Sequence, residues 1–204
     1  MRYLSIAILL SHLFAQSKYP TDSLLISNDT PLYKKISLLP IAGWQRISYN
    51  TNLFNCQFYP SCSNYGAQAI NSHGIIIGGI MTSDRIIRCN PFAYNYHLAL
   101  NRPFKFHDER LIDPLEQQTI ESKNSPLIAG LLSMIIPGLG RAYCGRPMDG
   151  MMGLWTLYLT SSSAYFAIKQ ERTILGPILG IASLYIYFGE IYGAWRMAKL
   201  YEKK

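Results

Sequence analysis

The run MMGLWTLYLTSSSAYFAI (151–168), followed after KQER (169–172) by TILGPILGIASLYIYFG (173–189), decides the fold of this chain. Neither run contains Asp, Glu, Lys or Arg, and at 18 and 17 residues each lies near the lower limit for a helix that crosses a bilayer. Small residues recur in both (Gly153, Ser161, Ser162, Ser163, Gly176, Gly180, Ser183), which lets two helices approach closely in lipid. A transmembrane helical hairpin is therefore expected, with helices over 148–168 and 173–195 and a loop at Lys169 to Arg172. Glu190, near a helix end, reads as a snorkelling carboxylate or a partner of Arg196 rather than a proton carrier.

Arg141 and Arg146 precede the hairpin and Arg196, Lys199, Lys203 and Lys204 follow it, against Lys169 and Arg172 in its loop. By the positive-inside rule both hairpin ends are cytoplasmic. Upstream, SPLIAGLLSMIIPGLG (125–140) is apolar, but as a helix it reaches only ~22 Å from Pro126, short of the ~30 Å hydrocarbon core. Together with the following RAYCGRPMDG it resembles the Pro-Gly-Leu-Gly entrance of small bacterial two-helix membrane domains. If 126–140 crosses the bilayer, the preceding domain lies outside; if it does not, that domain is cytoplasmic.

At 204 residues the chain has room for one small domain besides this module. Its start, MRYLSIAILLSHLFA (1–15), has a basic residue and an apolar run ending in Leu-Phe-Ala, the pattern of a signal peptide or an N-terminal anchor. That pattern tilts the choice towards an exported domain. Residues 16–32 are polar and turn-rich and read as a flexible leader. YKKISLLPIAGWQRIS (33–48) then reads as a short interfacial helix, broken or kinked at Pro40, with Lys34, Lys35, Trp44 and Arg46 at a membrane or partner surface. A core helix with solvated ends fits the same residues. Ser61 or Ser63 caps a helix to about Ser72, stopped by Gly74, and a second runs from about Ile75 to Arg88, placing Arg85 and Arg88 on one face as further membrane- or partner-binding residues. Residues 101–124 read as a linker, with solvated acids at Asp113, Glu116 and Glu121.

WQRIS (44–48), CQFYPSCSNYGAQAI (56–70), HG (73–74) and RIIRCNPF (85–92) together resemble the YidD family of membrane protein insertion efficiency factors, with Cys56, Cys62 and Cys89 in register. The likeness places a YidD-like domain over 33–100. It departs at Ala93 to His97, where the family tends to a Gly-Gly-Tyr-Asp-Pro-like ending, and at Gln57 and Ser61, where the family tends to a basic residue and Thr. The resemblance implies a small basic inner-membrane protein that helps other membrane proteins insert alongside the insertase, with no catalytic reaction of its own. Its expected partners are the anionic lipid bilayer and the insertase or nascent membrane proteins.

The three cysteines allow buried thiols, a disulfide, or a metal site completed by His73 or His97, although their spacing is not that of zinc knuckles. No catalytic residue, no metal and no cofactor is expected. The net charge of +7 is dispersed rather than gathered into a run, so nucleic acid is not an expected partner. The fold class is all-α: a small helical domain with an aromatic, Pro-rich cysteine loop, then the hairpin, in a multi-pass protein of the bacterial inner membrane. Two functions compete: an insertion accessory acting through a basic amphipathic domain, and a structural or interaction protein of the envelope with the same domain exported.

Overall fold

A computed structural model of the chain describes residues 19–51, 56–115 and 124–200, without the side chain of Leu200. The export-signal segment 1–15 lies outside the described residues. The chain is predominantly helical and divides into two units, residues 1–55 and 56–204.

In the first unit, α1 (Pro20–Ile26) and α2 (Leu32–Ser48) pack together. The leader expected at 16–32 thus contains a helix. Pro20 starts it, where a missing N–H costs nothing, and Thr21 is buried with its N–H donating to Gln45 Oε1 at 3.1 Å. Arg46 fixes the pair from the other side, donating to Asp22 Oδ1 at 3.0 Å and lying over the Tyr19 ring. Pro40, expected to break or kink the second helix, stands inside a continuous 17-residue α2. One face of α2 buries Leu38, Ala42, Gln45 and Ser48; Leu32, Ile36, Leu39 and Ile47 lie exposed along another.

The second unit begins with β1 (Phe58–Tyr59), which pairs in parallel with β2 (Leu111–Ile112), Phe58 opposite Leu111. The Tyr59–Pro60 peptide between β1 and the next helix is cis. α3 (Cys62–Arg88) is capped by Ser61, whose Oγ accepts from the Asn64 N–H at 3.3 Å. It breaks at Gly74, where φ is +80°, a conformation only glycine adopts without strain. The two limbs on either side pack through Tyr65, Ala69 and Met81. The cap and the glycine stop read from sequence are both present.

α4 (Ala93–Ala99) follows, and α5 (Pro126–Ile135) opens the C-terminal module. α5 has ten residues, about 15 Å of helix. It ends because Pro137 forces Ile136 into an extended conformation (φ −129°, ψ 105°), so the helix is shorter than the ~22 Å expected. α6 (Leu139–Tyr143), α7 (Pro147–Lys169) and α8 (Leu175–Leu200) complete the chain.

α7 and α8 form the expected hairpin, with Ser161 and Ser183 hydroxyls 2.6 Å apart and Ala164 and Ala167 buried. Among the described residues one helix, Leu175–Lys199, is long and apolar enough to cross a membrane, and only 17% of its apolar window is buried. α7 is 23 residues long but carries more polar side chains. Large apolar residues of both helices stand exposed, among them Trp155, Tyr158, Phe166, Ile178, Leu184 and Phe188.

α8 approaches α3 and α6 at Gly193, where a Cβ would meet Arg141 Nη2 and Asp84 Oδ1. Gly193→Ala is expected to force these buried charges apart at a cost of about 1–3 kcal/mol, as overpacking does. A lowered thermal midpoint of the detergent-solubilised chain reads this out; an unchanged midpoint refutes the contact.

Candidate functional site

Two-residue pairing of β2 with β1 is what delivers the first carboxylate. The Asp113 N–H donates to Tyr59 O at 3.0 Å, which directs the residue beneath the second limb of α3. There its Oδ2 accepts from Arg85 Nη1 and, at 2.7 Å, from Arg88 Nη1, and its side chain is 1% exposed. Arg102 and Arg196 approach Oδ1 at 3.7 and 4.0 Å. Asp113 was expected as a solvated linker acid. It is instead the anion at the bottom of a buried cluster.

Asp84, one turn before Arg88, supplies the second anion. It accepts from Arg88 Nε at 3.0 Å, from Arg141 Nη2 at 2.8 Å and from Arg196 Nη1 at 3.3 Å. Arg141 also donates to Glu190 Oε2 at 2.8 Å, so Glu190 pairs with Arg141 and not with Arg196. Nearby, Arg146 holds Asp149 at 2.6 Å, and Asp149 accepts from Asn90 Nδ2 at 2.7 Å. Six arginines (85, 88, 102, 141, 146, 196) thus meet four carboxylates (84, 113, 149, 190), leaving two positive charges in excess.

Arg85 and Arg88 were expected on an exposed basic face. Both are buried, and Arg85 is further fixed by the faces of Phe58 and Tyr65 at 4.1 and 4.7 Å and by Pro60 O at 3.0 Å. Both bind α3 to Asp113 beyond β2, and Arg88 also holds Asp84, which in turn pairs with Arg141 and Arg196 of the C-terminal module. Lys34 and Lys35 lie in the first turn of α2 and Trp44 and Arg46 near its end, in the first unit, Trp44 and Arg46 exposed and the lysines half-buried.

Asp84, Asp113, Arg141, Arg146 and Asp149 carry this cluster and were not singled out as site residues from sequence. One signal was present: Arg141 and Glu190 interrupt otherwise apolar stretches, and a charge in such a place needs a partner.

The three cysteines come together as the fold-back of α3 requires. Cys56 precedes β1, Cys62 opens α3 and Cys89 follows its last turn, and their sulfurs all lie within 4.8 Å of one another, Cys56 and Cys62 at 3.4 Å. All three are free thiols. Hydrogen bonds from the Cys62 and Cys89 thiols hold Cys56 well below the usual cysteine range, and the same contact with Cys56 pushes Cys62 up. His97 is turned away, its Nε2 on Pro103 O at 2.9 Å.

Burial alone would raise the Asp84 carboxyl, but Arg88, Arg141 and Arg196 outweigh it and hold the pKa at about 2. Asp113 is lowered likewise, by Arg88, Arg85 and Arg196 against burial. A carboxyl depressed in the folded state stabilises above its ordinary value near 4, and that contribution fades as pH falls towards about 2. The chain is therefore expected to lose stability steeply between these values. Asp113→Asn, which leaves Arg85 and Arg88 buried beside a neutral group, should cost about 3–5 kcal/mol at neutral pH and flatten that acid limb. Thermal unfolding across a pH series measures both.

A profile of the family described as "Putative membrane protein insertion efficiency factor", YidD, matches residues 33–97. Relatives carrying that description include one from Exiguobacterium sp., 44% identical over 59 residues, which are 29% of this chain and 66% of the relative. One from Colwellia psychrerythraea is 45% identical over 65 residues, 32% of this chain and 77% of its own length. One from Thermoanaerobacter pseudethanolicus is 42% identical over 59 residues, 29% of this chain and 86% of its own. No solved structure matches the chain. Residues 98–204, with Asp113 and the hairpin, lie outside the profile match, while 33–97 hold the three cysteines, Asp84, Arg85 and Arg88. On identities above two fifths across most of the length of such relatives, the chain belongs to the YidD family of membrane protein insertion efficiency factors.

Proposed function

We propose that this chain is a membrane-anchored accessory factor that assists the insertion and folding of integral membrane proteins, carries no reaction of its own, and works on the cytoplasmic side of the inner membrane. The observation that carries the proposal is the shared ion cluster. Asp84 of the family module and Arg141 and Arg196 of the C-terminal module neutralise one another in a buried site. A module locked in this way to helices with exposed apolar flanks is held at the bilayer surface, at the open end of the α7–α8 hairpin.

Length and charge support the cytoplasmic side. α5 is about half as long as the hydrocarbon core is thick, so the chain before and after it stays on one side. The hairpin brings its own two ends back to that side, and the excess of arginine there is what the cytoplasmic face retains. Nascent membrane proteins emerge on that face. In the first unit, α2 offers an exposed apolar stripe bordered by Lys35, suited to anionic headgroups at about 1 kcal/mol for each basic residue near the surface. The insertase or its clients are the partners that fit such a surface.

The export-like segment 1–15 favours the second reading, in which the same domain lies outside as an envelope component. A fusion after Glu121 in living cells separates the two. Fluorescent protein is expected to be bright there and alkaline phosphatase silent; active phosphatase overturns the cytoplasmic assignment. Photocrosslinking from Ile36 of α2 in cells should then trap the insertase or a nascent membrane protein, and repeated failure to capture either defeats the accessory role.

A further inference from the structure

We propose that Cys56, Cys62 and Cys89 form a binding site for a thiophilic metal ion, Zn²⁺ in the first instance, with three thiolate ligands from the chain and a fourth position open to water or an outside donor. The positions of the sulfurs in space, rather than the spacing of the cysteines in sequence, make the site. An ion bound tetrahedrally at about 2.3 Å from each sulfur needs sulfur–sulfur separations of about 3.8 Å. The three sulfurs lie within 4.8 Å of one another, Cys56 and Cys62 at 3.4 Å, so shifts of no more than about 1 Å seat the ion.

The surroundings are those of thiolates. The Cys62 N–H, at the start of α3, donates to Cys56 Sγ at 3.3 Å, and Gln57 Nε2 approaches Cys89 Sγ at 3.9 Å while also donating to Asn90 O at 2.8 Å. Donors aimed at sulfur stabilise its anionic form and orient it, as the outer partners of metal ligands do. On one side the trio packs against Phe58, Ala93 and Leu111; its own residues remain partly exposed, which leaves a path for the ion.

A disulfide between Cys56 and Cys62 would use two of the three and leave Cys89 over. Among the described residues no histidine or carboxylate joins the group, which gives an all-sulfur donor set of the kind that selects zinc or copper(I) over harder ions. Binding involves no oxidation or reduction. Each thiol that ligates loses its proton to solvent as its S–Zn bond forms, so up to three protons leave for each ion bound. The ion would tie together the approach to β1 and both ends of α3.

The test uses the full chain, purified in detergent under reducing conditions without chelator. Elemental analysis should find one zinc per chain, and Co²⁺ loaded in its place should show the near-ultraviolet sulfur-to-cobalt charge-transfer band. Cys62→Ser should lose metal affinity by at least about a hundredfold, whereas Cys144→Ala, at the buried cysteine elsewhere in the unit, should retain it. Because Cys62→Ser can also fail to fold, alkylation of the wild-type chain supplies the second measure. Zinc should protect three thiols from iodoacetamide, and stripping the metal should expose them reversibly. A reduced, folded wild-type chain that takes up neither zinc nor cobalt overturns the site. So does zinc binding that survives in folded Cys62→Ser, or a Cys56–Cys62 disulfide in protein trapped directly from cells.

Discussion

Asp84 is the residue on which the rest of the second unit depends. Its two oxygens accept from three guanidiniums, those of Arg88 on its own helix, Arg141 on α6 and Arg196 on α8. Each of these arginines is buried, and a buried cation without a counter-charge costs several kcal/mol. One carboxylate therefore fixes the mutual positions of three helices. Asp113 does the same for α3 and the β1–β2 pair, and Arg88 bridges the two acids. The design brings like charges close together, and it holds only while both carboxyls are ionised.

This arrangement also explains the glycines and small residues that line the helix contacts. α8 can bring Arg196 to Asp84 only where nothing projects between them and Arg141, and Gly193 provides that opening. The same helix presents Phe188, Ile191 and Trp195 to a cleft of about 560 Å³ walled by Ile77 and Ile80 of α3 and by Leu131 and Met134 of α5. Polar chemistry is thus turned inward at one end of the unit, and its flanks are left apolar. In water that distribution is a liability; beside lipid it is what a partly immersed module requires.

How much of this was legible in the sequence depended on the range of the interaction. The hairpin, the Ser61 cap and the Gly74 stop are set by residues a few positions apart, and their patterns were readable. The family likeness likewise rests on local runs, and it carries the three cysteines together. The ion cluster was not readable, because Asp84 finds Arg141 57 residues away and Arg196 112 residues away. Asp113 looked solvated because its sequence neighbours are charged and polar; a strand pair of only two residues, too short to announce itself, is what buries it. Arg85 and Arg88 looked like a surface because a basic pair one turn apart usually is one.

The cluster and the thiol trio meet on α3, and this has a consequence for how the module is held. Cys89 follows Arg88 directly, and Asn90, which accepts from Gln57 beside the sulfurs, donates in turn to Asp149 of α7. The ends of α3 are thus secured twice, by charge towards the C-terminal helices and by sulfur towards β1. Acid weakens the first restraint, since protonating Asp84 or Asp113 removes the anions that hold the arginines. Loss of the sulfur contacts would free the Cys56 loop but leave Asp84 paired to Arg141 and Arg196. Two restraints of different chemistry therefore act on one broken helix, and loss of either leaves the other in place.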